Sequence, residues 1–196
     1  MTLLHLSDTH GLHRQIENLP LADVIVHTGD FCEKGTVEEV EDFAEWFVSL
    51  PHKHKIFVAG NHDDCLHGAA IEGLPKGVHY LCHSGIEIDG VYFYGLPMFV
   101  ADELNGDYEK AISRIPSDTD VLITHQPPYG ILDFTEGVHY GNVSLLSRVL
   151  CIKPRLHLFG HVHKANGKLE AHDTLYVNGS LVSGMKIAYT PQLIHL

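Results

Sequence analysis

The stretch KIFVAGNHD, residues 55–63, sets an apolar run directly before a glycine and three polar side chains. Apolar and β-branched residues dominate Lys55–Ala59, so this part is predicted to form a buried β-strand. Gly60 permits a tight turn just past the strand. The stretch therefore predicts a strand whose carboxyl end presents Asn61, His62 and Asp63.

Four other segments repeat this arrangement of an apolar strand followed by polar side chains. They are Leu3–Ser7 before Asp8-Thr9-His10, Val24–Thr28 before Gly29-Asp30, Val121–Thr124 before His125, and Leu156–Phe159 before Gly160-His161-Val162-His163. In a parallel α/β sheet, the carboxyl ends of the strands open into one crevice where ligands bind. The five strand ends are therefore predicted to bring these side chains together: Asp8, His10, Asp30, Asn61, His62, His125, His161 and His163. Two pairs, Asp8/His10 and His161/His163, are two positions apart, so in an extended segment both members point the same way.

The remaining patterns predict further strands and helices around these five. The further strands are His79–His83, Ile86–Ile88, Val91–Gly95, Leu175–Asn178, Lys186–Tyr189 and Gln192–Leu196. The helices are Val37–Leu50, His10–Asn18, Tyr108–Ile115 and Val143–Leu150. Strand–helix–strand order in the first half favours parallel pairing. The stretch His79–Gly95, with its Asp89-Gly90 turn, and the final segment favour antiparallel hairpins.

Mixed sheets with helices outside them indicate a layered α/β architecture. No linker, repeat or low-complexity segment interrupts the 196 residues. The sequence therefore predicts a single domain over residues 1–196.

Composition limits the classes of partner. The formal net charge is −12 at pH 7, and a field of that sign opposes polyanions such as duplex DNA. A small phosphate substrate stays compatible, because bound metal ions can reverse the charge locally. No apolar run reaches the roughly 20 residues of a membrane span, and the N-terminus lacks the basic start of a signal peptide. We therefore expect a cytoplasmic protein with no membrane association and no stable nucleic-acid complex.

Histidine and cysteine usage points to metal chemistry without disulfides. The chain has 17 histidines and four cysteines. The cysteines show no CxxC spacing, which favours reduced thiols. Histidine is the commonest metal ligand, and mixed nitrogen and oxygen ligands favour Zn, Mn, Fe or Co over Ca or Mg.

Each residue at the strand ends also has an ordinary structural interpretation. Asp8 could cap a helix, Asp30 or Asn61 could stabilise a turn, and His125 could be a core histidine. The occurrence of all five blocks in order, each after an apolar run, favours metal ligation instead.

These motifs resemble the five-block signature of the calcineurin-like metallophosphoesterases. The blocks are Asp-x-His, Gly-Asp, Gly-Asn-His-Asp, His and Gly-His-x-His, in that order between Asp8 and His163. The sequence THQPPYG at residues 124–130 is similar to a small-domain subgroup that includes bacterial proteins and the vertebrate MPPED-type phosphodiesterases. The resemblance implies a layered α-β-β-α sandwich with two mixed sheets, and hydrolysis of phosphate esters.

The resemblance also implies a role for each residue. One divalent ion would bind Asp8, His10, Asp30 and His163, and the other would bind Asp30, Asn61, His125 and His161. Asp30 would bridge the two ions, which are transition metals (Mn, Fe, Zn, Ni or Co) with Mn favoured. A hydroxide bridging the ions would attack phosphorus, and His62 would protonate the leaving group as a general acid. Four further histidines match no family position and are interpreted as structural: His13, His67, His139 and His157.

The chain departs from the phosphoprotein-phosphatase branch at Glu33 and Lys34, where that branch has Asp and Arg. A carboxylate is expected to orient His62, and Glu33 and Asp63 are both candidates for this catalytic role. Lys34 offers a point charge where Arg would offer a bidentate fork.

Three residues are predicted to bind substrate: Lys34, Asn61 and Tyr129. The loop Tyr129–Asn142 is predicted to form a wall of the substrate site, because it is long and lies between two ligand blocks. Short connections and the missing Asp/Arg pair favour small phosphodiesters, including cyclic nucleotides, over phosphoproteins.

Three alternatives use the same strand-end residues. A phosphomonoesterase or protein phosphatase, or a nuclease, would use the same two-metal site, whereas a binding or scaffold module would use the metals without catalysis. The acidic charge and missing basic stripe disfavour the nuclease, and the intact ligand positions disfavour the scaffold. The oligomeric state is left open.

Overall fold

The structure is a computed structural model that describes residues 1–196. The strands, in chain order, are β1 Thr2–Leu6, β2 Val24–His27, β3 His54–Phe57, β4 Val78–Tyr80, β5 Ser84–Ile88, β6 Val91–Leu96, β7 Val121–Thr124, β8 Phe134–Thr135, β9 Val138–His139, β10 Leu156–Phe159, β11 Gly167–Ala171, β12 Thr174–Asn178 and β13 Gln192–His195. The α-helices are α1 Val37–Ser49, α2 Val100–Asn105, α3 Asp107–Ser113 and α4 Val143–Ile152. Single 3-10 turns lie at His13–Gln15, Asp64–Leu66 and His163–Ala165.

Two large mixed sheets carry the fold. The first has the strand order β13-β1-β2-β3-β4 and is parallel except for β13, which runs antiparallel to β1. The second has the order β11-β12-β10-β7-β6-β5, with antiparallel strands at both edges. Each sheet therefore has a parallel centre, whose carboxyl ends lie at one edge.

Alternation along the strands places a dry core between the two sheets. Leu3, Val26 and Ile56 of the first sheet share one apolar cluster with Phe93 and Leu158 of the second. The alternate side chains pack outward, against α1 on the first sheet and against α3 and α4 on the second. Because strand side chains alternate between faces, these contacts produce the expected α-β-β-α sandwich.

Helix α1 begins at a capping box that also orders the segment before it. Thr36 Oγ1 accepts the N–H of Glu39 at 3.3 Å, and the Glu39 carboxylate accepts the N–H of Thr36 at 3.2 Å. The same carboxylate accepts the N–H of Lys34 at 2.9 Å. Both ends of the helix agree with the predicted Val37–Leu50 to within one residue, as expected for a strong start signal.

Two predicted elements are wrong. The predicted helix His10–Asn18 is only the 3-10 turn His13–Gln15, because His10 and Gly11 have φ of 42° and 73°, which a right-handed helix excludes. The predicted strand Lys186–Tyr189 forms only an isolated bridge between Val182 and Ile187.

The two predicted hairpin regions differ in outcome. In the final segment, the N–H groups of Ala188 and Tyr189 both donate to the Leu181 carbonyl, at 2.9 and 3.1 Å. The chain therefore turns instead of forming a hairpin, and β13 pairs with β1. In the earlier region, β5 and β6 form the expected hairpin at Asp89-Gly90. Strand β4 instead pairs in parallel with β3 in the other sheet.

The sequence patterns missed three elements: α2, β11 and the β8–β9 hairpin. Their side chains are mostly exposed, so apolar periodicity does not mark them. None of the four α-helices combines the length and apolar character that crossing a bilayer requires.

Candidate metal centre

The carboxyl ends of five parallel strands meet at one edge of the two sheets. Strands β1, β2 and β3 of the first sheet lead into Asp8, Asp30 and Asn61. Strands β7 and β10 of the second sheet lead into His125 and His161. Each of these five residues follows the last residue of its strand by no more than four positions, so their side chains lie at this edge.

The structure brings all eight predicted strand-end residues together. Three groups of side chains each place their nitrogen or oxygen atoms within 4.8 Å of one another: Asp8, His10 and His163; His10, Asp30 and His62; Asp30, His125 and His161. Asn61 joins them through its Oδ1, which lies 3.1 Å from His125 Nε2.

Four of these residues hold a left-handed backbone conformation. The φ angles are 52° at Asp8, 42° at His10, 56° at Asp30 and 70° at His161. Such values are uncommon for residues with a Cβ and collect at functional sites. Hydrogen bonds hold them here, since the N–H of Asp8 donates to the Gly29 carbonyl at 3.0 Å and that of His10 to the Asp30 carbonyl at 3.0 Å. Apolar periodicity gives no sign of this conformation.

Two glycines allow the carboxylates to reach their positions. A Cβ on Gly60 would lie 2.2 Å from Asp30 Oδ1, and a Cβ on Gly160 would lie 2.2 Å from Asp8 Oδ2. Any side chain at either position would displace a carboxylate. The glycines of the Gly-Asn-His-Asp and Gly-His-x-His blocks are therefore required for close approach.

The Nε2 atom of His125 lies close to several other electron-rich atoms. Its Nδ1 donates to the Thr28 carbonyl at 2.8 Å, so Nε2 carries the lone pair when the ring is neutral. Nε2 lies 3.3 Å from Asp30 Oδ2, 3.1 Å from Asn61 Oδ1 and 3.2 Å from His161 Nδ1. These atoms would repel one another unless a cation lies among them.

The pKa of His125 reflects the same demand for positive charge. Burial is the largest single influence and lowers the pKa of His125, but the Asp30 and Asp8 carboxylates and the Thr28 carbonyl together outweigh it and raise the pKa to about 10. A proton on Nε2 and a bound metal ion would each supply the positive charge that these neighbouring atoms require. The donor set of two carboxylates, an amide oxygen and imidazoles therefore fits a divalent transition-metal ion.

Both carboxylates of the centre are held in the ionised form. Burial alone would raise the pKa of Asp8, but the hydrogen bond from His163 and the charge of His125 bring it below its usual range. Burial likewise opposes ionisation of Asp30, and the His125 charge again lowers its pKa. Ser180 Oγ donates to Asp8 Oδ2 at 2.8 Å, and the His161 N–H donates to the same carboxylate at 3.0 Å.

Asp30 lies between the two groups of histidines. Its Oδ2 is 3.3 Å from His125 Nε2 and 3.8 Å from His10 Nε2. Its Oδ1 accepts the N–H of His62 at 2.8 Å. On the other side, His10 Nε2 lies 3.2 Å from His163 Nε2. One carboxylate oxygen thus faces both ligand groups, as a bridging ligand would.

His62 is oriented by a main-chain carbonyl. Its Nδ1 donates to the Glu33 carbonyl oxygen at 3.0 Å. The Glu33 carboxylate lies instead 3.4 Å from His10 Nδ1. Glu33 therefore contacts both histidines, but through different atoms, and the expectation that a carboxylate orients His62 is wrong.

Asp63 supports the ligand loops. Its carboxylate accepts the N–H groups of Asp30 at 2.8 Å, Cys32 at 2.9 Å and Gly60 at 2.8 Å. Burial and the nearby Asp30 charge raise the pKa of Asp63 to about 7. Neither of its oxygens is hydrogen-bonded to His62, so the structure places Asp63 beneath the site and not beside the His62 side chain.

The other two residues predicted to bind substrate lie further out than Asn61. Lys34 is exposed next to the start of α1, and its N–H is bound to Glu39. The Tyr129 side chain is 42% exposed, and its ring centre lies 4.9 Å from that of His139. Neither side chain belongs to the clustered groups.

Two clefts adjoin the centre, and His163 lines both of them. The first, here called the His62 cleft, has a volume of about 330 Å³ and is lined by His10, Leu12, Glu33, His62, His163, Val182, Gly184 and Met185. The second, the hairpin cleft, has a volume of about 280 Å³ and is lined by Thr135, Glu136, Tyr140, His161, Val162, His163 and Lys164. Sequence analysis missed Leu12, Met185 and Lys164, which carry no motif.

Comparison with known proteins agrees with this geometry. The family model described as calcineurin-like phosphoesterase matches residues 1–165. A Caenorhabditis elegans UPF0046 protein is 36% identical over 203 residues, which cover 89% of this chain and 68% of the worm protein.

A named mammalian relative and a solved structure match as well. Human metallophosphoesterase domain-containing protein 1 is 34% identical over 210 residues, covering 89% of this chain and 64% of the human protein. The crystal structure of TT1561 of Thermus thermophilus has the same fold, with a TM-score of 0.59 at 14% identity over 90% of this chain and 88% of that one. The chain therefore belongs to the calcineurin-like phosphoesterase family of metal-dependent phosphoester hydrolases.

Proposed function

We propose that this protein is a dinuclear phosphodiesterase for small substrates. The observation that carries the dinuclear assignment is the position of Asp30, whose Oδ2 faces His10 on one side and His125 on the other. The first ion would be held by Asp8, His10, Asp30 and His163, and the second by Asp30, Asn61, His125 and His161. Bound divalent ions supply Lewis acidity and lower the pKa of a coordinated water to near neutrality.

The charge of the loaded site favours a phosphate despite the acidic surface. Two divalent ions contribute four positive charges, and the Asp8 and Asp30 carboxylates return two negative ones. The net charge of the chain is −12, so positive potential is confined to this edge of the sheets. A small anion is the better fit, because an extended polyanion would also meet the acidic surface.

His62 is proposed as the acid that protonates the leaving group. The Glu33 carbonyl accepts its Nδ1–H, which leaves Nε2 as the atom that would carry the transferred proton. His62 also lines the cleft named after it. Proton donation to a poor leaving group is typically worth roughly 10²–10⁴ in rate.

The two clefts support a diester in preference to a monoester. A diester carries two organic groups on one phosphate, and His163 lines two clefts of comparable size. The leaving group would occupy the His62 cleft, where the acid is, against Leu12 and Met185. The retained group would lie in the hairpin cleft beside Tyr140 and Lys164. A cyclic nucleotide carries both ester oxygens on one ribose, so its nucleoside would occupy a single cleft, and it fits the site through its small size and its charge.

A substrate panel tests this function. Purified protein would be assayed with Mn, Ni and Zn on bis-p-nitrophenyl phosphate, p-nitrophenyl phosphate, 2′,3′- and 3′,5′-cyclic nucleotides and a phosphopeptide. We expect kcat/KM to be highest on a diester and Mn to be the most effective ion. A higher kcat/KM on the phosphopeptide or the monoester than on every diester would overturn the diester assignment. Asp30→Asn serves as the control for contaminating activity.

A further inference from the structure

Three buried histidines outside the ligand groups share one arrangement. Each places its Nε2 within hydrogen-bond distance of a threonine hydroxyl at the end of a neighbouring strand. The pairs are His5–Thr28 at 3.0 Å, His27–Thr9 at 3.1 Å and His157–Thr124 at 2.9 Å. All six residues have no exposed surface.

Each threonine is close in sequence to a proposed metal ligand. Thr9 lies between Asp8 and His10, Thr28 is two residues before Asp30, and Thr124 directly precedes His125. The histidines come from the adjacent strand in each case: β1 for Thr28, β2 for Thr9 and β10 for Thr124. Every pair therefore joins two neighbouring strands at the point where their ligand loops begin.

The direction of two of these bonds follows from their other contacts. His27 Nδ1 accepts the N–H of Gly29 at 3.2 Å, so its proton is on Nε2 and is donated to Thr9. Thr124 Oγ1 donates its own proton to the Gln126 carbonyl at 2.7 Å, so it accepts from His157 Nε2. Burial lowers the pKa of His157 to about 3 and places that of His27 well below its ordinary value, which keeps both rings neutral.

Thr28 and its neighbour Gly29 contact the ligands directly, whereas Thr9 and Thr124 are joined to ligands through the peptide chain. The carbonyl oxygen of Thr28 accepts the Nδ1–H of His125 at 2.8 Å, so the position of Thr28 sets the direction of the His125 ring. Gly29, whose N–H is bound to His27, accepts the N–H of Asp8 on its carbonyl at 3.0 Å. A purely apolar side chain could fill these core positions, whereas a buried histidine is tolerated only when hydrogen-bonded.

We propose that His5, His27 and His157 are positioning residues that set the metal ligands through Thr28, Thr9 and Thr124. This inference rests on the proposed metal function. Thr9 acts on the group of Asp8 and His10, whereas Thr28 and Thr124 both act on His125. The three pairs therefore divide between the two proposed ions.

Valine substitutions test this division because valine keeps the shape of threonine and removes the hydroxyl. Thr9→Val, Thr28→Val and Thr124→Val would be compared with Thr174→Val as a matched control. Thr174 is equally buried, and its hydroxyl donates to the Pro154 carbonyl at 2.7 Å, but it lies at the opposite end of β12. Mn²⁺ binding to the metal-free proteins would be followed by calorimetry, and thermal unfolding would be measured alongside.

We expect a loss of Mn²⁺ affinity at one ion in each variant. Loss of a hydrogen bond behind a ligand typically costs roughly 10- to 100-fold in metal affinity. Thr28→Val and Thr124→Val should weaken the step that involves His125, and Thr9→Val should weaken the other step. His163→Ala, which removes a ligand of the first ion only, identifies the two steps. Thr174→Val should lower Tm with both affinities unchanged.

Serine variants keep the hydroxyl and provide the second measurement. Thr9→Ser, Thr28→Ser and Thr124→Ser should retain the Mn²⁺ affinity of the wild type, even if the lost methyl group lowers Tm. Equal Mn²⁺ affinities in all valine variants and in Thr174→Val would overturn the positioning role while leaving the dinuclear function intact. Binding of fewer than two ions by the wild type would instead overturn the proposed function itself.

Discussion

The loops that carry the proposed metal ligands and the walls of the two clefts differ in how deeply they are buried. Asp8 and His125 have no exposed surface, and Asp30 is only 2% exposed. On the cleft side, Met185 is 96% exposed and Tyr140 is 43% exposed. The ligands rest on buried hydrogen bonds between strands, whereas the walls rest on a few surface contacts.

The β8–β9 hairpin illustrates how lightly the walls are held. A two-stranded ribbon is marginally stable by itself, and its turn has φ of 53° at Glu136 and 84° at Gly137. Asp133 fixes its base by accepting the N–H groups of Gly130 and Gly141 and contacting His139 Nδ1 at 2.7 Å. The difference teaches that reactivity and specificity lie on separate parts of this fold, so substitutions in one part should leave the other unchanged.

The strongest test of the comparison removes the carboxylate that is proposed to bridge the two ions. Asp30→Asn should reduce kcat/KM by at least about 10⁴-fold, roughly 5.4 kcal/mol, because both ions lose a charged ligand. Metal analysis should show depletion at both positions. Asn61→Ala is the matched variant and should deplete mainly one. Retention of two ions in the Asp30→Asn variant would show that Asp30 does not bridge them.

Removal of the acid should affect rate without affecting metal content. His62→Ala should lower kcat on a 2′,3′-cyclic nucleotide by about 10²-fold or more, since a ribose alkoxide needs a proton to leave. The loss on bis-p-nitrophenyl phosphate should be far smaller, because p-nitrophenolate leaves largely unaided. Equal losses on both substrates would assign His62 to phosphate positioning, and loss of a metal would make it a ligand.

Acidification should lower the free energy of unfolding, because buried histidines near the proposed metal ligands are neutral in the folded protein. Burial lowers the folded-state pKa of His157 to about 3, whereas the unfolded value is about 6.5. The unfolded chain therefore binds the extra proton below pH 6.5, and stability is lost as pH falls from 6.5 towards 3. The expected slope from His157 is at most about 1.4 kcal/mol per pH unit.

His157→Gln isolates that contribution, because glutamine can still donate to Thr124 but does not titrate. Urea unfolding at pH 7, 6, 5 and 4 would be compared for the two proteins. The wild type should lose stability more steeply below pH 6.5, by about 2 kcal/mol over two pH units. Parallel curves would show that His157 is charged or exposed in the native state.

The smallest effects are expected on the cleft walls. Met185→Ala should raise KM for a bulky leaving group a few-fold, about 1 kcal/mol or less, because an exposed side chain contributes little buried area. Tyr140→Ala should act in the same way on the retained group. Neither change should alter Mn²⁺ affinity or the kcat for bis-p-nitrophenyl phosphate. A loss of Mn²⁺ affinity in either variant would show that the cleft walls also position the metal ligands, which would contradict the comparison.

The strands that lead into the proposed metal ligands could be predicted from the sequence because they are buried on both faces. Continuous apolar runs such as Val121–Thr124 mark such strands, and the polar residue that follows each one marks its end. That pattern predicted the layered fold and the meeting of the strand-end residues, and the calcineurin-like resemblance supplied the sandwich of two mixed sheets.

The loop Tyr129–Asn142 was predicted as a wall and supplies Thr135, Glu136 and Tyr140 to the hairpin cleft. The secondary structure of the walls could not be predicted, because exposed polar segments carry no periodicity. The β8–β9 hairpin and α2 escaped prediction for this reason. Lys186–Tyr189 resembled a strand, although only Ile187 pairs, in an isolated bridge with Val182. The orientation of His62 escaped as well, since a main-chain carbonyl belongs to every residue and leaves no trace in the sequence. The same holds for the left-handed backbone at Asp8 and Asp30.

The division of the centre between the two sheets has a consequence for the order of synthesis. Asp8, Asp30 and Asn61 belong to the first sheet, but His125 and His163 belong to the second. Nascent chains that end before His163 would hold only part of the ligands, and the sheet-to-sheet edge would not yet exist. The ligand set would therefore be complete only after His163 has been synthesised and both sheets have packed together.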